Sequence, residues 1–221
     1  MALAIFDLDN TLLCGDSDHL WGEFLVEQGA VDAEVYQREN DRFYQKYNEG
    51  TLDIFEFLRF SLKPLSEYAP QKLYAWREQF VTEKIEPIIL PDGLKLIQKH
   101  RDAGDTLMII TATNAFVTTP IAQRLEIEHL IATTPEMING CYTGQVEGTP
   151  SYKEGKIERL NQWLATTHHD LKGSCFYSDS HNDIPLLEIV DNPVAVDPDE
   201  ALEQHAQRRE WPIISLRSTL S

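Results

Sequence analysis

A chain of 221 residues with 42% hydrophobic and 25% charged residues has ordinary globular composition and enough length to bury a large core, which excludes overall disorder. Its formal net charge of −17 excludes nucleic acid and anionic membrane as partners, because both are bound through clustered Lys and Arg. No apolar run approaches the roughly 20 residues of a bilayer span, and three scattered cysteines, Cys14, Cys141 and Cys175, predict reduced thiols at packed positions rather than a disulfide framework or zinc site.

The N-terminal text "ALAIFDL" carries no basic region or small-residue cleavage site, so no secretory signal is expected and cytoplasmic residence is. The stretch "AIFDLDNTLL" reads as a buried strand that carries Asp7 and Asp9 where its hydrophobicity breaks off. A buried aspartate is costly unless it is paired, hydrogen-bonded or bound to a cation. From Gly15 to about Pro91 the pattern is helical, with apolar stripes at Leu20, Trp21, Phe24 and Leu25 and at Leu73, Trp76, Phe80, Val81 and Ile85. Pro70 suits the first turn of a helix and "NEGTLD" around Gly50 breaks two others, which predicts a small helical bundle inserted early.

After Pro91 the pattern alternates: a helix over 92–103, "DTLMIIT" as a strand, a helix over 115–125, and "HLIAT" as a strand. "EMINGCYTGQVEG" follows as a hairpin projecting from the sheet, with Asn139-Gly140 as its type I′ turn. A helix from 154, "SCFYSD", a helix through Leu187, "PVAVD", a helix to Arg209 and "PIISLR" complete the series. Short apolar runs alternating with helices predict an α/β fold, a parallel sheet with helices on both faces. The expected division is a core of residues 1–14 and 91–221 and a helical cap of residues 15–90.

Ligands of an open parallel sheet bind outside the carboxyl ends of the strands. Three polar clusters occupy such ends: Asp7 with Asp9, Thr111 with Thr113 and Asn114, and "SDSHND" at 178–183. Gathered carboxylates suit Mg²⁺, which takes one or two of them together with waters and substrate phosphate. Taken singly, Asp9-Asn10-Thr11 also fits a helix cap or Asx turn, and Thr113 or Asn114 an N-cap.

"DLDNT" resembles the DxDxT motif of the haloacid dehalogenase superfamily, "IITAT" its second motif, "EGKIERL" its third and "SDSHND" its fourth. The resemblance covers nearly the whole chain, and its branch is that of the phosphoserine phosphatases. It implies a Rossmann-like core, a C1-type helical-bundle cap, a small β-hairpin and a phosphatase. Ser178 stands where that branch commonly has glycine, as in a subgroup labelled histidinol-phosphatase-like.

Carried over residue by residue, the resemblance makes Asp7 the nucleophile that forms an aspartyl-phosphate and Asp9 the general acid and base. Asp7, Asp9 (through its backbone carbonyl) and Asp179 would hold Mg²⁺. Thr111 and Ala112 would bind phosphate together with Lys156, for which Lys153 is the neighbouring alternative. Asn182 and Asp183 would stand behind the metal. Asp9 favours phosphoryl transfer over carbon–halogen cleavage, since dehalogenase branches lack it. His181 is read as a loop residue without a role.

Asp16, Asp18 and His19 follow the first motif, where the cap should meet the core. Acidic groups there suit a substrate with an ammonium or imidazolium group, such as histidinol phosphate or phosphoserine, and "DSDHLWGEFL" fits a helix start equally. Phosphoserine would also call for an arginine, with Arg38, Arg42 and Arg59 as candidates. The expected partner is a small phosphorylated metabolite, bound by a monomer or homodimer. A phosphomutase or a sugar or nucleotide phosphatase is the enzyme alternative, and a non-catalytic phosphate-binding module ranks last.

Overall fold

The computed structural model describes residues 2–217. Seven strands form one sheet: β1 (Leu3–Phe6), β2 (Thr106–Asn114), β3 (His129–Ile138), β4 (Cys141–Glu147), β5 (Cys175–Ser178), β6 (Asn192–Val196) and β7 (Ile213–Ile214). From edge to edge they run β4, β3, β2, β1, β5, β6, β7, and every neighbouring pair is parallel except β3 with β4. The strand order reverses at β1, whose Ile5 lies opposite Met108 of β2 on one side and Phe176 of β5 on the other. All four β1 residues are buried, as a strand covered on both faces requires.

Between β1 and β2 the chain inserts α1 (Ser17–Glu27), α2 (Ala33–Asn48), α3 (Ile54–Ser61), α4 (Lys63–Glu67) and α5 (Pro70–Phe80), followed by a π turn at Val81–Ile85 and a 3₁₀ turn at Glu86–Ile88. Each of α1, α2 and α3 starts on an aspartate, Asp16, Asp32 or Asp53, whose side chain accepts backbone N–H groups of the first turn. The later helices α6 (Pro91–Asp102), α7 (Ala115–Arg124), α8 (Glu154–Thr166), α9 (Ile184–Leu187) and α10 (Glu200–Arg209) alternate with the strands.

Alternation along β1 divides the interior. Leu3 and Ile5 point into a cluster with Met108, Leu160, Phe176, Leu186 and Leu202. Ala4 and Phe6 point into a second cluster that continues without a break into the insertion, through Phe116 to Trp21, Phe24 and Phe80. Trp21 stacks on Phe24 at 5.6 Å and meets Phe80 edge-on at 5.2 Å and Phe116 of α7 at 5.5 Å. The two chain crossings are stitched together by Cys14 N–H to Ile88 O at 2.8 Å and Leu90 N–H to Leu12 O at 3.0 Å.

Three expectations need correction. The strand at "HLIAT" does not stop before the hairpin; β3 runs on to Ile138, pairing with β2 in its first half and with β4 in its second, so the hairpin is an edge of the sheet. Its turn is as predicted, with φ of 52° at Asn139 and 79° at Gly140. "PIISLR" forms a strand only at Ile213–Ile214. The thiols are free, yet Cys14 and Cys141 are exposed, because one sits at the chain crossing and the other on the edge strand β4.

Candidate active site

The Asp7 N–H donates to Tyr177 O at 2.9 Å, extending the ladder between β1 and β5 one residue past the strand. The chain then winds through a tight turn in which the N–H groups of Leu12 and Leu13 share Leu8 O at 2.9 and 3.1 Å. Leu8, Leu12 and Leu13 are fully buried and pin that turn, which leaves Asp7, Asp9 and Thr11 at the carboxyl edge of the sheet. Asn10 supplies the left-handed backbone, φ 56°, that the turn requires.

Lys156 reaches the same edge from the first turn of α8. Its Nζ lies 2.8 Å from Asp7 Oδ1 and 2.7 Å from Asp183 Oδ1, and the lysine is 1% exposed. Gly155 makes this approach possible: a Cβ there would overlap the Pro150 carbonyl oxygen. Of the two lysines it is Lys156 that meets the carboxylates, since Lys153 Nζ instead donates to Gly50 O at 2.9 Å. Ser178 donates to Asp183 Oδ2 at 2.7 Å, so the serine that replaces a glycine adds a second donor to that carboxylate beside Lys156. Asp183 is thus held by Lys156 and Ser178, and Asn182 binds Tyr152, Ser180 and the Tyr47 carbonyl.

Asp179 follows β5. It accepts from Thr11 Oγ1 at 3.0 Å and returns its own N–H to that oxygen at 3.1 Å. The Asp9 side chain is held away from this cluster: Oδ1 accepts Ser17 N–H at 2.6 Å, and Oδ2 accepts Thr113 Oγ1 at 2.8 Å and Thr111 Oγ1 at 3.4 Å. Ala112 lines the same cavity, its carbonyl tied to Thr133 Oγ1 at 2.8 Å. Asn114 caps α7 by accepting Val117 N–H at 3.2 Å. Thr11 and Thr113 were not singled out from sequence as site residues. Thr11 closes the first motif and could have been; Thr113 reads as a cap, and the cap is its neighbour.

Burial pushes the Asp7 carboxyl well up from its ordinary value; Lys156 pulls it down while Asp183 and Asp9 add repulsion. Burial likewise raises Asp179, with Asp7 next in effect. Burial alone would depress Lys156, but Asp183 and Asp7 outweigh it and hold the ammonium charged. Positive charge is therefore short at this edge. Among the described residues no ion pair reaches Asp9 or Asp179. That deficit fits Mg²⁺, whose usual donors are one or two carboxylates, carbonyls and waters. Among the described residues no three His, Cys, Asp or Glu side chains form a metal-binding group, and a site built on Asp7, Asp179 and a backbone carbonyl does not need one.

Above the carboxylates lies a cavity whose floor includes Asp7, Asp9 and Thr111 and whose wall comes from the insertion, with Asp16, Asp18, His19, Asn40, Phe43, Tyr44, Tyr47 and Phe57. Asp16 has two places in the structure. Its Oδ1 caps α1 by accepting the N–H groups of Asp18 and His19 at 2.9 Å, and the same side chain lines the cavity. Burial pushes Asp16 up to about 7, with Asp9 repelling it and those two N–H groups drawing it down. Asp18 is raised as well, by burial and then by Asp16 and Asp9. Among the described residues no arginine lines the cavity. Arg42 pairs with Glu39 and Glu56 at 2.9 Å over the Phe43 ring, Arg38 faces Glu39 at 3.5 Å, and Arg59 is exposed, so the three arginines offered for a carboxylate lie elsewhere. His181, read as a loop residue without a role, has its Nδ1 2.7 Å from Asp199 Oδ2.

The family model of haloacid dehalogenase-like hydrolases matches residues 4–188. The chain belongs to that family. Among relatives of this hydrolase, a Neisseria meningitidis protein named histidinol-phosphatase is 46% identical over 219 residues, covering 97% of this chain and 99% of its own length. A Mycobacterium tuberculosis protein named phosphoserine phosphatase SerB1 is 31% identical, covering 98% of this chain and 71% of its own. A crystal structure of a Bordetella pertussis protein of unknown function superposes with a TM-score of 0.92 at 45% identity, over 97% of this chain and 98% of that one. No helix among the described residues is long and apolar enough to cross a membrane.

Proposed function

We propose that this phosphatase of the haloacid dehalogenase-like family is a cytoplasmic, Mg²⁺-dependent phosphomonoesterase that acts on the phosphate ester of a small cationic amino alcohol, with histidinol phosphate the preferred substrate. The single observation that carries the substrate class is the acidic wall: Asp16 and Asp18 line the cavity beside Asp9, with no arginine or lysine among its described lining residues. A ligand entering there gains by bringing its own positive charge. The relative named histidinol-phosphatase supports the same choice. Phosphoserine, the substrate named by the 31% identical relative, carries an ammonium but also a carboxylate, which would meet like charges and no guanidinium.

In this reading residues 15–90 are the cap and the cavity is the cleft they close. Asp7, oriented by Lys156, attacks phosphorus; the bond from phosphorus to the alcohol oxygen breaks, and an aspartyl-phosphate forms on Asp7. Asp9, held by Ser17, Thr111 and Thr113, delivers its proton to the departing oxygen. It then takes a proton from the water that attacks phosphorus, which returns Asp7 as a free carboxylate and releases phosphate. Asp7, Asp179 and the Asp9 carbonyl would hold Mg²⁺, which would supply the charge screening for an anion to approach an anion. Thr11 keeps Asp179 in place, and Asp183 does the same for Lys156.

The test is kcat/KM for histidinol phosphate against phosphoserine at saturating Mg²⁺. The expected preference is at least about 100-fold, which corresponds to about 2.7 kcal/mol of repulsion and missing contact. Equal values, or a preference for phosphoserine, would reject the cationic amino-alcohol assignment.

A further inference from the structure

The seam between the end of α2 and the turn before α8 has its own set of contacts, none of which the reaction above uses. At the C-terminal end of α2 the Gly50 N–H returns to Tyr47 O at 3.0 Å and the Thr51 N–H to Lys46 O at 2.9 Å, a helix end closed by a residue with φ +67°. Such an end presents carbonyl oxygens and the negative pole of the helix dipole, and its natural partner is an ammonium group. Lys153 provides one, with Nζ 2.9 Å from Gly50 O and 5.2 Å from the Tyr152 ring centroid, so the stem lies along an aromatic face. The reach comes at a conformational cost: Lys153 has φ 49° and ψ −122°, a backbone region that residues with a Cβ rarely occupy.

Two more contacts cross the seam. Asn182 Nδ2 donates to Tyr47 O at 3.2 Å, and His181 Nε2 lies 2.6 Å from where a Cβ on Gly50 would stand. Tyr47 and Tyr152, one from each side, line the cavity itself. The chain passes from core to cap at Cys14 and back at Leu90, where Cys14 N–H bonds Ile88 O and Leu90 N–H bonds Leu12 O, and none of these residues takes part in the seam contacts. A closed cleft opens by parting contacts that no covalent crossing holds, and the seam contacts are of that kind.

We propose that Lys153 is a positioning residue, a clasp whose ammonium fastens the end of α2 to the core and keeps the cap closed over a bound phosphate ester. Lys156 is committed to Asp7 and Asp183, so the two lysines of "YKEGK" divide the work: one faces the reacting phosphate and the other holds the door. The kinetic part of this proposal rests on the phosphatase reading; the structural part does not.

The experiment compares the full-length enzyme with Lys153→Met, which keeps the stem over Tyr152 and removes the charge, and with Lys153→Arg, which restores a donor. In Lys153→Met, hydrogen exchange of the Gly50 and Thr51 amides without substrate should quicken about fivefold, while that of the α8 amides stays unchanged. KM for the amino-alcohol phosphate should rise about fivefold with kcat within twofold, and Lys153→Arg should bring KM back. A merely structural lysine would lower kcat and quicken exchange in α8 instead, and either result overturns the proposal. Unchanged exchange at Gly50 and Thr51 overturns it too, as does faster exchange with unchanged KM. If the wild type hydrolyses no phosphate ester yet Lys153→Met still quickens exchange at that end, the clasp stands and the function assignment falls.

Discussion

Asp16 does two jobs whose demands differ. As a cap it gains from two backbone N–H donors, and an asparagine would serve there almost as well. As part of the cavity wall it lies near Asp9, and burial raises its pKa to about 7. A carboxyl raised above its unfolded value of about 3.9 contributes stability while both states are protonated, and that contribution is lost as pH climbs toward 7. Asp16→Asn should therefore melt at the wild-type temperature near pH 4 and above it at pH 8, while KM for a cationic substrate rises at pH 8 and stays near the wild-type value at pH 4, where Asp16 is already neutral. A Tm difference that is flat across that range would contradict the assignment of the shift to this side chain. At this scale Asp7, Asp9 and Asp179 are legible because their carboxylates break apolar runs at strand ends. Ser17 is not, since a backbone N–H donated to Asp9 leaves no trace in residue type.

The turn from Pro150 to Lys156 shows how an element places a group. Gly155 sits where only a hydrogen fits against the Pro150 carbonyl, and the Tyr152 and Gly155 N–H groups close the turn onto Pro150 O and Tyr152 O at 2.9 Å. Gly155→Ala must push Pro150 and α8 apart. It should destabilise the protein by roughly 1–3 kcal/mol and reduce kcat at least tenfold, because Lys156 would leave Asp7; a variant with wild-type kcat and Tm would show that the contact yields freely. The glycine is visible in "EGK" as text, but its reason is a contact with a residue five positions earlier that no local pattern encodes. Period and turn chemistry gave the other elements, from the stripe at Trp21 and Phe24 to the Asn139-Gly140 hairpin. They failed where tertiary pairing decides: β3 continues through Pro135 because β4 is there to pair with it, and β7 shrinks to two residues at the sheet edge.

Across the whole molecule, a sheet whose order reverses at β1 brings the ends of β1, β2 and β5 together, and a helical insertion between the first two closes over them. Alternation of short apolar runs with helices made that architecture readable before any coordinate. What the sequence could not reveal was that the insertion shares one apolar cluster with the sheet, through Phe116, Trp21 and Phe80, because periodicity marks which face is buried and not what buries it. The proposed reaction depends on attack by Asp7 on phosphorus rather than direct attack by water. Two successive in-line displacements restore the original configuration, whereas a single one inverts it. The measurement is the stereochemical course at phosphorus for a thiophosphate ester made chiral with oxygen isotopes and hydrolysed in labelled water by the wild-type enzyme. Retention of configuration is the predicted result, and inversion would contradict it.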